Sequence, residues 1–243
     1  MKDFILFGQP ELGNDEINEV IDSLKKGWLG TGPKTKRFEN DFAKYKSVKH
    51  SLALNSCTAG LHLSCLTLDL NPGDEVITTA MTFCATVNSI IHAGGKPVLV
   101  DIEQNTWNID PTKLEEKITS KTKAIIPVHF AGRPCDMDEI ISISKKYNLK
   151  VIEDCAHAIE TVYKGKKAGT IGDMGVFSFY ATKNLAVGEG GMIISDNESL
   201  ISKLKISALH GMSKDAWSRF SDDGYKHYKV EKAGFKYNMP DIQ

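Results

Sequence analysis

Hydrophobic and polar residues alternate along this chain with two periods, one typical of helices and one typical of buried strands. Ile17, Val20 and Ile21 recur at helical spacing, which predicts an amphipathic helix over 16–26. Uninterrupted apolar runs, such as AIIPV at 124–128, predict strands buried on both faces. The predicted strands cover 51–55, 75–79, 97–101, 124–129, 150–153, 175–180 and 192–195. The predicted helices cover 16–26, a segment through Phe38, Phe42 and Tyr45, and 60–68, 84–92, 112–118, 137–147 and 198–209.

The order of these elements predicts the fold. Strands and helices alternate from residue 51 onwards, and such units with right-handed crossovers build parallel sheets. The last two predicted strands lack room for a long helix between them, so we expect an antiparallel pair joined by the loop that holds Lys183. The sequence therefore predicts an α/β fold, a three-layer α/β/α domain with a mostly parallel central sheet. This domain, with its N-terminal helical segment, spans residues 1–243.

The composition is that of an ordinary soluble globular protein. With 41% hydrophobic residues, 25% charged residues and a net charge of -1, the chain shows no bulk signal for nucleic-acid or membrane partners. No apolar run approaches the roughly 18 residues of a membrane span, and the N-terminus lacks a signal-peptide core. The five cysteines contain no C-x-x-C pair, which disfavours disulfides and a metal site. We expect a cytoplasmic protein with reduced thiols.

One lysine occupies an unusual position in the sequence. Lys183 follows the predicted strand 175–180 and precedes the glycine-rich turn GEGG at 188–191. Glycines at such a position let the backbone approach a ligand closely. A solvated surface lysine is the ordinary alternative, so the interpretation depends on what else the chain brings to the same edge.

Two upstream segments carry complementary chemistry. Asp154 follows the predicted strand 150–153, and ligands bind at the carboxyl ends of strands in open α/β sheets. A salt bridge to a neighbouring helix would also explain this carboxylate. Residues 55–60, NSCTAG, connect a strand to a helix, so the Ser56 and Thr58 hydroxyls and free N–H groups could hold a phosphate. A plain helix N-cap explains the same residues equally well.

Three other side chains are candidates with structural alternatives. Phe83 follows the strand at 75–79 and could stack on a flat ring, although core packing is the usual role of phenylalanine. Ser178 lies between two phenylalanines, where its hydroxyl needs a partner such as a backbone carbonyl or a phosphate. His157 could contact a ligand oxygen, or it could be a structural histidine.

Together these groups fit pyridoxal 5'-phosphate (PLP). This cofactor requires an amine for its aldehyde, an acid for its pyridine nitrogen and donors for its phosphate. Lys183, Asp154 and the turn at 55–60 supply these three groups. We therefore predict a PLP site with Lys183 as the catalytic residue.

The chain resembles the nucleotide-sugar aminotransferases of the DegT/StrS type, within the aspartate-aminotransferase fold (fold type I). The resemblance runs from about Gln9 to Gln243 and is strongest at 72–78, 122–129, 151–157, 177–185 and 188–191. It implies transfer of an amino group from L-glutamate to a nucleotide-diphosphate-linked keto-sugar, for polysaccharide or glycoconjugate precursors. It also implies a homodimer with shared active sites.

The resemblance implies a role for each candidate residue around the cofactor ring. Lys183 would carry the cofactor and move the proton between carbon centres. Asp154 would pair with the ring nitrogen. Phe83 and Ala156 would sandwich the ring, and His157 would contact its hydroxyl.

The phosphate would be held by a second group of residues, again by resemblance. This group comprises Ser56, Cys57, Thr58, Ser178 and, from the partner subunit, Asn238. Cys57 departs from the family pattern, which usually has glycine at this position.

The last residues suggest a shortened protein. Pro240 with an adjacent acid indicates a helix start within 238–243, and the resemblance implies a smaller C-terminal domain that is absent from this chain. We expect a chain that folds and binds PLP but turns over poorly. The alternatives are a non-catalytic PLP-fold regulator or dimerisation partner, and a PLP-dependent sugar dehydratase. Lys183 disfavours the dehydratase, which has histidine there, and a missing G-x-G-x-x-G disfavours a dinucleotide-binding oxidoreductase.

Overall fold

A computed structural model describes residues 8–213 and 228–243, and within these residues seven strands form one central sheet. The strands are β1 (His50–Leu54), β2 (Glu75–Thr79), β3 (Lys96–Val100), β4 (Thr122–Ile125), β5 (Lys150–Asp154), β6 (Val162–Tyr163), β7 (Lys166–Lys167), β8 (Met174–Ser178) and β9 (Gly191–Ser195), of which β6 and β7 form a separate hairpin. The helices are α1 (Asn14–Lys26), α2 (Pro33–Lys46), α3 (Cys57–Leu66), α4 (Cys84–His92), α5 (Met137–Tyr147) and α6 (Glu198–Ala208). No helix in this described range is both long and apolar enough to cross a membrane.

The sheet is mostly parallel. Its strands lie in the order β1-β9-β8-β5-β4-β2-β3. The neighbours from β8 to β3 run parallel, whereas β9 is antiparallel to both β1 and β8. This confirms the predicted parallel sheet and the antiparallel pair that flanks the Lys183 loop.

Helices cover both faces of the sheet. Val76 and Ile77 are consecutive on β2 and fully buried, yet they belong to different cores because successive strand residues face opposite sides. One core packs under α3, α4 and α6. The other face packs under α5 and, around Phe42 and Phe177, under α2. The predicted three-layer architecture is confirmed.

One prediction of local structure is wrong, and one element was not predicted. The segment 112–118 forms two short 3-10 turns, Pro111–Lys113 and Glu115–Lys117, instead of an α-helix. So short a segment makes too few hydrogen bonds to offset helix nucleation, and the buried Leu114 anchors it instead. The hairpin of β6 and β7 escapes a period-based prediction because each strand has only two residues. Its turn depends on positive φ angles at Lys164 and Gly165.

At the C-terminus, the acid beside Pro240 has a role that the sequence did not indicate. Within this chain the predicted helix start is a single turn, in which Gln243 donates its N–H to the Pro240 carbonyl. The acid beside Pro240, Asp241, does not cap a helix of its own. Its carboxylate instead accepts hydrogen bonds from the N-terminus of α2, because α2 begins after a glycine that has no side chain to offer.

Candidate active site

The candidate site lies at the carboxyl edge of the sheet, where β5 and β8 end side by side. Asp154 is the last residue of β5 and is paired with Val176, two residues before β8 ends at Ser178. The chain then passes through a loop and returns antiparallel as β9. Lys183 lies in this loop, so the topology brings together the amine and the carboxylate predicted to share a site.

Asp154 is a buried carboxylate held by hydrogen bonds. Its side chain accepts a 2.7 Å hydrogen bond from the Thr86 hydroxyl and a 3.1 Å hydrogen bond from the Ala156 N–H. Burial raises the pKa of Asp154, and the Thr86 and Ala156 hydrogen bonds oppose that effect. Among the described residues the structure gives Asp154 no lysine or arginine ion pair, which removes the salt-bridge alternative.

Lys183 contacts a histidine rather than a carboxylate. Its Nζ lies 2.5 Å from His157 Nε2, and its backbone N–H donates to the Tyr180 carbonyl. Partial burial lowers the pKa of Lys183, so a larger fraction of its amine is neutral at a given pH than for an ordinary lysine. Burial also lowers the pKa of His157, with the Lys183 charge as the second cause. A neutral amine is the form that attacks a carbonyl.

The turn before α3 is a helix N-cap. Ser56 is the N-cap residue, and its hydroxyl oxygen accepts the Ala59 N–H at 3.0 Å. The N-cap interpretation is thus confirmed, while the phosphate interpretation stays a prediction. Gly191 lies so close that a Cβ there would approach the Cys57 nitrogen to 2.5 Å. Gly191 therefore lets β9 pass against the turn, and Thr58 remains exposed at the helix start.

Cys57 fits into the turn without distorting the helix start. It is the first residue of α3, and its side chain packs against the core cluster that includes Leu54 and Val176. Burial strongly raises the pKa of the Cys57 thiol. The thiol is therefore a neutral, apolar contact beneath the turn, so its presence does not conflict with an anion above the helix N-terminus.

The remaining predicted ring and phosphate residues lie in different environments. Phe83 is 77% exposed at the N-cap of α4, so it does not have the core-packing role that is usual for phenylalanine. Ser178 accepts the Tyr180 N–H at 3.3 Å, rather than donating to a carbonyl as one alternative predicted. Among residues 8–213 and 228–243, its own hydroxyl hydrogen has no acceptor. Ala156 serves Asp154 through its backbone, as described above.

Asn238 lies next to the turn within its own chain. It forms an isolated bridge with Leu54, the residue two before the N-cap Ser56. Its side-chain amide donates to the Thr31 hydroxyl at 2.6 Å, and its carbonyl oxygen accepts from Lys236 at 2.6 Å. The predicted contact between Asn238 and the phosphate of a partner subunit stays a prediction.

The sequence-based prediction missed a buried polar network beneath the site. His129 Nδ1 accepts the Cys135 N–H, so its proton is on Nε2, which donates to Glu153 at 3.0 Å. Glu153 also accepts three backbone N–H groups, from Gly169, Ile171 and Gly172. Burial raises the pKa of Glu153, but these hydrogen bonds outweigh burial and leave the pKa lowered. The sequence offered one signal for this network, which is that a buried strand ends in two consecutive acids, Glu153 and Asp154.

Among the described residues, this network contains the one cluster of side chains of the types that bind metal ions. The ligand atoms of His129, Glu153 and Cys155 lie within 4.8 Å of one another. Both nitrogens of His129 and both oxygens of Glu153 are already engaged in hydrogen bonds within the chain. We therefore interpret the cluster as a structural support of the strand that holds Asp154.

The residues at this edge fit the three demands of PLP. Asp154 is buried without a cationic partner among the described residues, Lys183 is a partly buried amine with a lowered pKa, and the start of α3 offers N–H groups. The close passage of Gly191 keeps the turn free of a side chain on that side. These are features of the polypeptide itself, and each matches a different part of the cofactor.

Comparison with known proteins gives a consistent result. The model of the DegT/DnrJ/EryC1/StrS aminotransferase family matches residues 10–243. The spore coat polysaccharide biosynthesis protein SpsC of Bacillus subtilis is 51% identical over 99% of this chain, which corresponds to 62% of SpsC. This chain therefore spans about three fifths of that relative.

Two solved structures have the same fold. Spr1654 from Streptococcus pneumoniae, in its PLP form, has a TM-score of 0.88 at 37% identity. The match covers 98% of this chain and 64% of the Spr1654 chain. PseC from Helicobacter pylori, an aminotransferase involved in the biosynthesis of pseudoaminic acid, has a TM-score of 0.90 at 30% identity, with coverages of 98% and 62%. Together with the family match over nearly the whole sequence, these likenesses show that the chain belongs to the DegT/DnrJ/EryC1/StrS aminotransferase family.

Proposed function

We propose that this chain is the cofactor-binding part of a PLP-dependent aminotransferase that transfers an amino group from L-glutamate to a nucleotide-diphosphate-linked keto-sugar. The observation that carries the proposal is the arrangement of Lys183, His157 and Asp154 at one edge of the sheet. Its family membership and the names of SpsC and PseC support a role in making sugar precursors. Lys183 supports transamination over the dehydratase alternative.

The proposal gives each group of residues a task. When bound, PLP would supply an electron sink for the carbon from which a proton is removed. Lys183 would hold the cofactor covalently and then carry that proton, because its amine is more readily neutral than an ordinary lysine. Asp154 would keep the ring nitrogen protonated, since a close opposite charge favours the charged form. The N–H groups at the start of α3, with Thr58 and Ser178, would bind the phosphate.

A labelling experiment tests this assignment. We expect purified protein mixed with PLP to absorb visible light, and borohydride to fix the cofactor on the peptide that contains Lys183. L-glutamate should discharge the visible band before reduction. Lys183→Ala is the control and should show neither effect. Recovery of the label on another lysine would contradict the proposal.

The surroundings of the site carry three further parts of the proposal. Phe83, Ile91 and Leu99 are exposed apolar residues on α4 and the edge strand β3, and such surfaces favour association, here into a homodimer with shared sites.

All five cysteines are free, which supports a reducing, cytoplasmic compartment. The chain would act as the large domain beside a smaller domain that covers the site.

A further inference from the structure

Two threonines lie in a row behind Asp154. Thr86 Oγ1 is 2.7 Å from an Asp154 carboxylate oxygen, and Thr82 Oγ1 is 2.7 Å from Thr86 Oγ1. Thr86 is fully buried on the first turn of α4, whereas Thr82 is half-buried in the loop before that helix. The three side chains form one continuous hydrogen-bonded chain that leads from the protein surface to the candidate site.

The direction of the hydrogen bonds among these three side chains follows from the number of hydrogens that each side chain can donate. While Asp154 is ionised it can only accept, so the single hydroxyl hydrogen of Thr86 must be donated to it. Thr86 is then an acceptor toward Thr82, and Thr82 must donate. Each donation polarises the next hydroxyl, which strengthens the final hydrogen bond to the carboxylate.

These hydrogen bonds act on a carboxylate whose buried position disfavours its charged form. Asp154 is only 4% exposed, and burial alone favours its neutral form. The groups that face it are the Thr86 hydroxyl, the Ala156 N–H and, at longer range, His129, His157, the Lys183 amine and the thiols of Cys57, Cys135 and Cys155. Hydrogen bonds to an ionised group are stronger than neutral ones, so Thr86 stabilises the charged form.

We propose that Thr86, supported by Thr82, is a positioning residue that keeps Asp154 ionised and oriented to receive a protonated pyridine nitrogen. The role toward the pyridine nitrogen rests on the proposed function, whereas the hydrogen bonds from Thr82 to Thr86 and from Thr86 to Asp154 do not. The same short segment also holds Phe83 at the helix N-cap. One segment would thus support the carboxylate that pairs with the ring nitrogen and carry the aromatic side chain proposed to stack on the ring.

The first test needs no cofactor. The carbon-13 signal of the Asp154 carboxyl is titrated in cofactor-free protein, and it is identified as the signal lost in Asp154→Asn. In Thr86→Val, which keeps the shape and removes the hydroxyl, we expect the titration midpoint to rise by about 1 pH unit or more. Thr86→Ser keeps the hydroxyl and should titrate close to wild type. Equal midpoints in Thr86→Val and Thr86→Ser would overturn the proposal.

The second test measures cofactor affinity. PLP should bind Thr86→Val about tenfold more weakly than wild type or Thr86→Ser, by absorbance titration. If wild-type protein binds no PLP, the proposed function fails, while the carbon-13 titration still decides the role of Thr86. If Thr86→Val does not fold, Thr82→Val removes only the outer hydroxyl and should raise the Asp154 midpoint by a smaller amount. An unchanged Asp154 titration midpoint in Thr82→Val would contradict the proposed support of Thr86 by Thr82.

Discussion

At the scale of single residues, the candidate site is built from groups whose ionisation is set by burial. Cys57 is the clearest example, because a thiol replaces the glycine that the family usually has in the turn. Its side chain is partly buried against the core cluster beneath the turn, and burial strongly raises its pKa. A thiol with a strongly raised pKa is a poor nucleophile, since the thiolate is the reactive form.

Thiol labelling of the native protein tests this interpretation. We expect Cys84, which is exposed, to react quickly with a disulfide reagent at mildly alkaline pH. Cys57 and Cys65 should react slowly, because burial raises both pKa values, that of Cys65 to about 12, and thereby reduces the thiolate fraction. Peptide mapping after a short pulse gives the order of reaction. Labelling of Cys57 as fast as Cys84 would show that its sulfur is open to the site.

Sequence patterns reveal some of these residues and hide others. Lys183 and Asp154 were predictable because each directly follows an apolar strand run in a chain that alternates strands and helices. Thr86 was not, because its partner Asp154 is 68 positions away and a threonine in a helix usually has no special role. The Lys183–His157 contact joins two loops, and no periodic pattern gives distances between loops.

At the scale of elements, the N-terminus of α2 is completed by a residue far away in the sequence. The N-cap position is Gly32, which has no side chain, and the first turn of α2 contains no acid. Asp241 accepts the N–H groups of Gly32, Lys34 and Thr35 at 2.8–2.9 Å and the Thr35 hydroxyl at 2.6 Å. A carboxylate there also complements the positive end of the helix dipole. Asp241 thus ties the segment that contains Asn238 to the helical N-terminal part.

Substitution of Asp241 tests this tie. Asp241→Ala should lower the free energy of unfolding by about 1–3 kcal/mol, because several backbone donors lose their acceptor. Asp241→Asn keeps one oxygen acceptor and should lose less. Urea denaturation of wild type and both variants measures the difference. A free energy of unfolding for Asp241→Ala equal to that of wild type would mean that water replaces the carboxylate without cost.

At the scale of the whole molecule, α1 presents its apolar side outwards. Its polar side faces α2, where Glu19 and Asp22 form ion pairs with Lys34. The apolar residues of this amphipathic helix, Ile17, Val20, Ile21 and Leu24, are 39–57% exposed. Periodicity therefore predicted the helix correctly but not what covers it. Because this chain spans 62% of SpsC, we propose that a domain equivalent to the remainder packs on this face.

A fusion experiment tests that proposal and its link to activity. Joining this chain to the part of SpsC that it does not match should raise turnover of nucleotide-linked keto-sugars with L-glutamate, because closure over a site excludes water and aligns reactants. Leu24→Glu should lower the activity or stability of the fusion but change the free energy of unfolding of the 243-residue chain by only about 0.5 kcal/mol or less. Lys25→Glu, which puts the same charge on the neighbouring exposed position of the last helical turn, is the matched control and should affect the fusion no more than the 243-residue chain. If the chain alone turns over as fast as the fusion, closure by a second domain is not needed for activity. If Leu24→Glu leaves the fusion unchanged, the exposed face of α1 is not where a second domain packs.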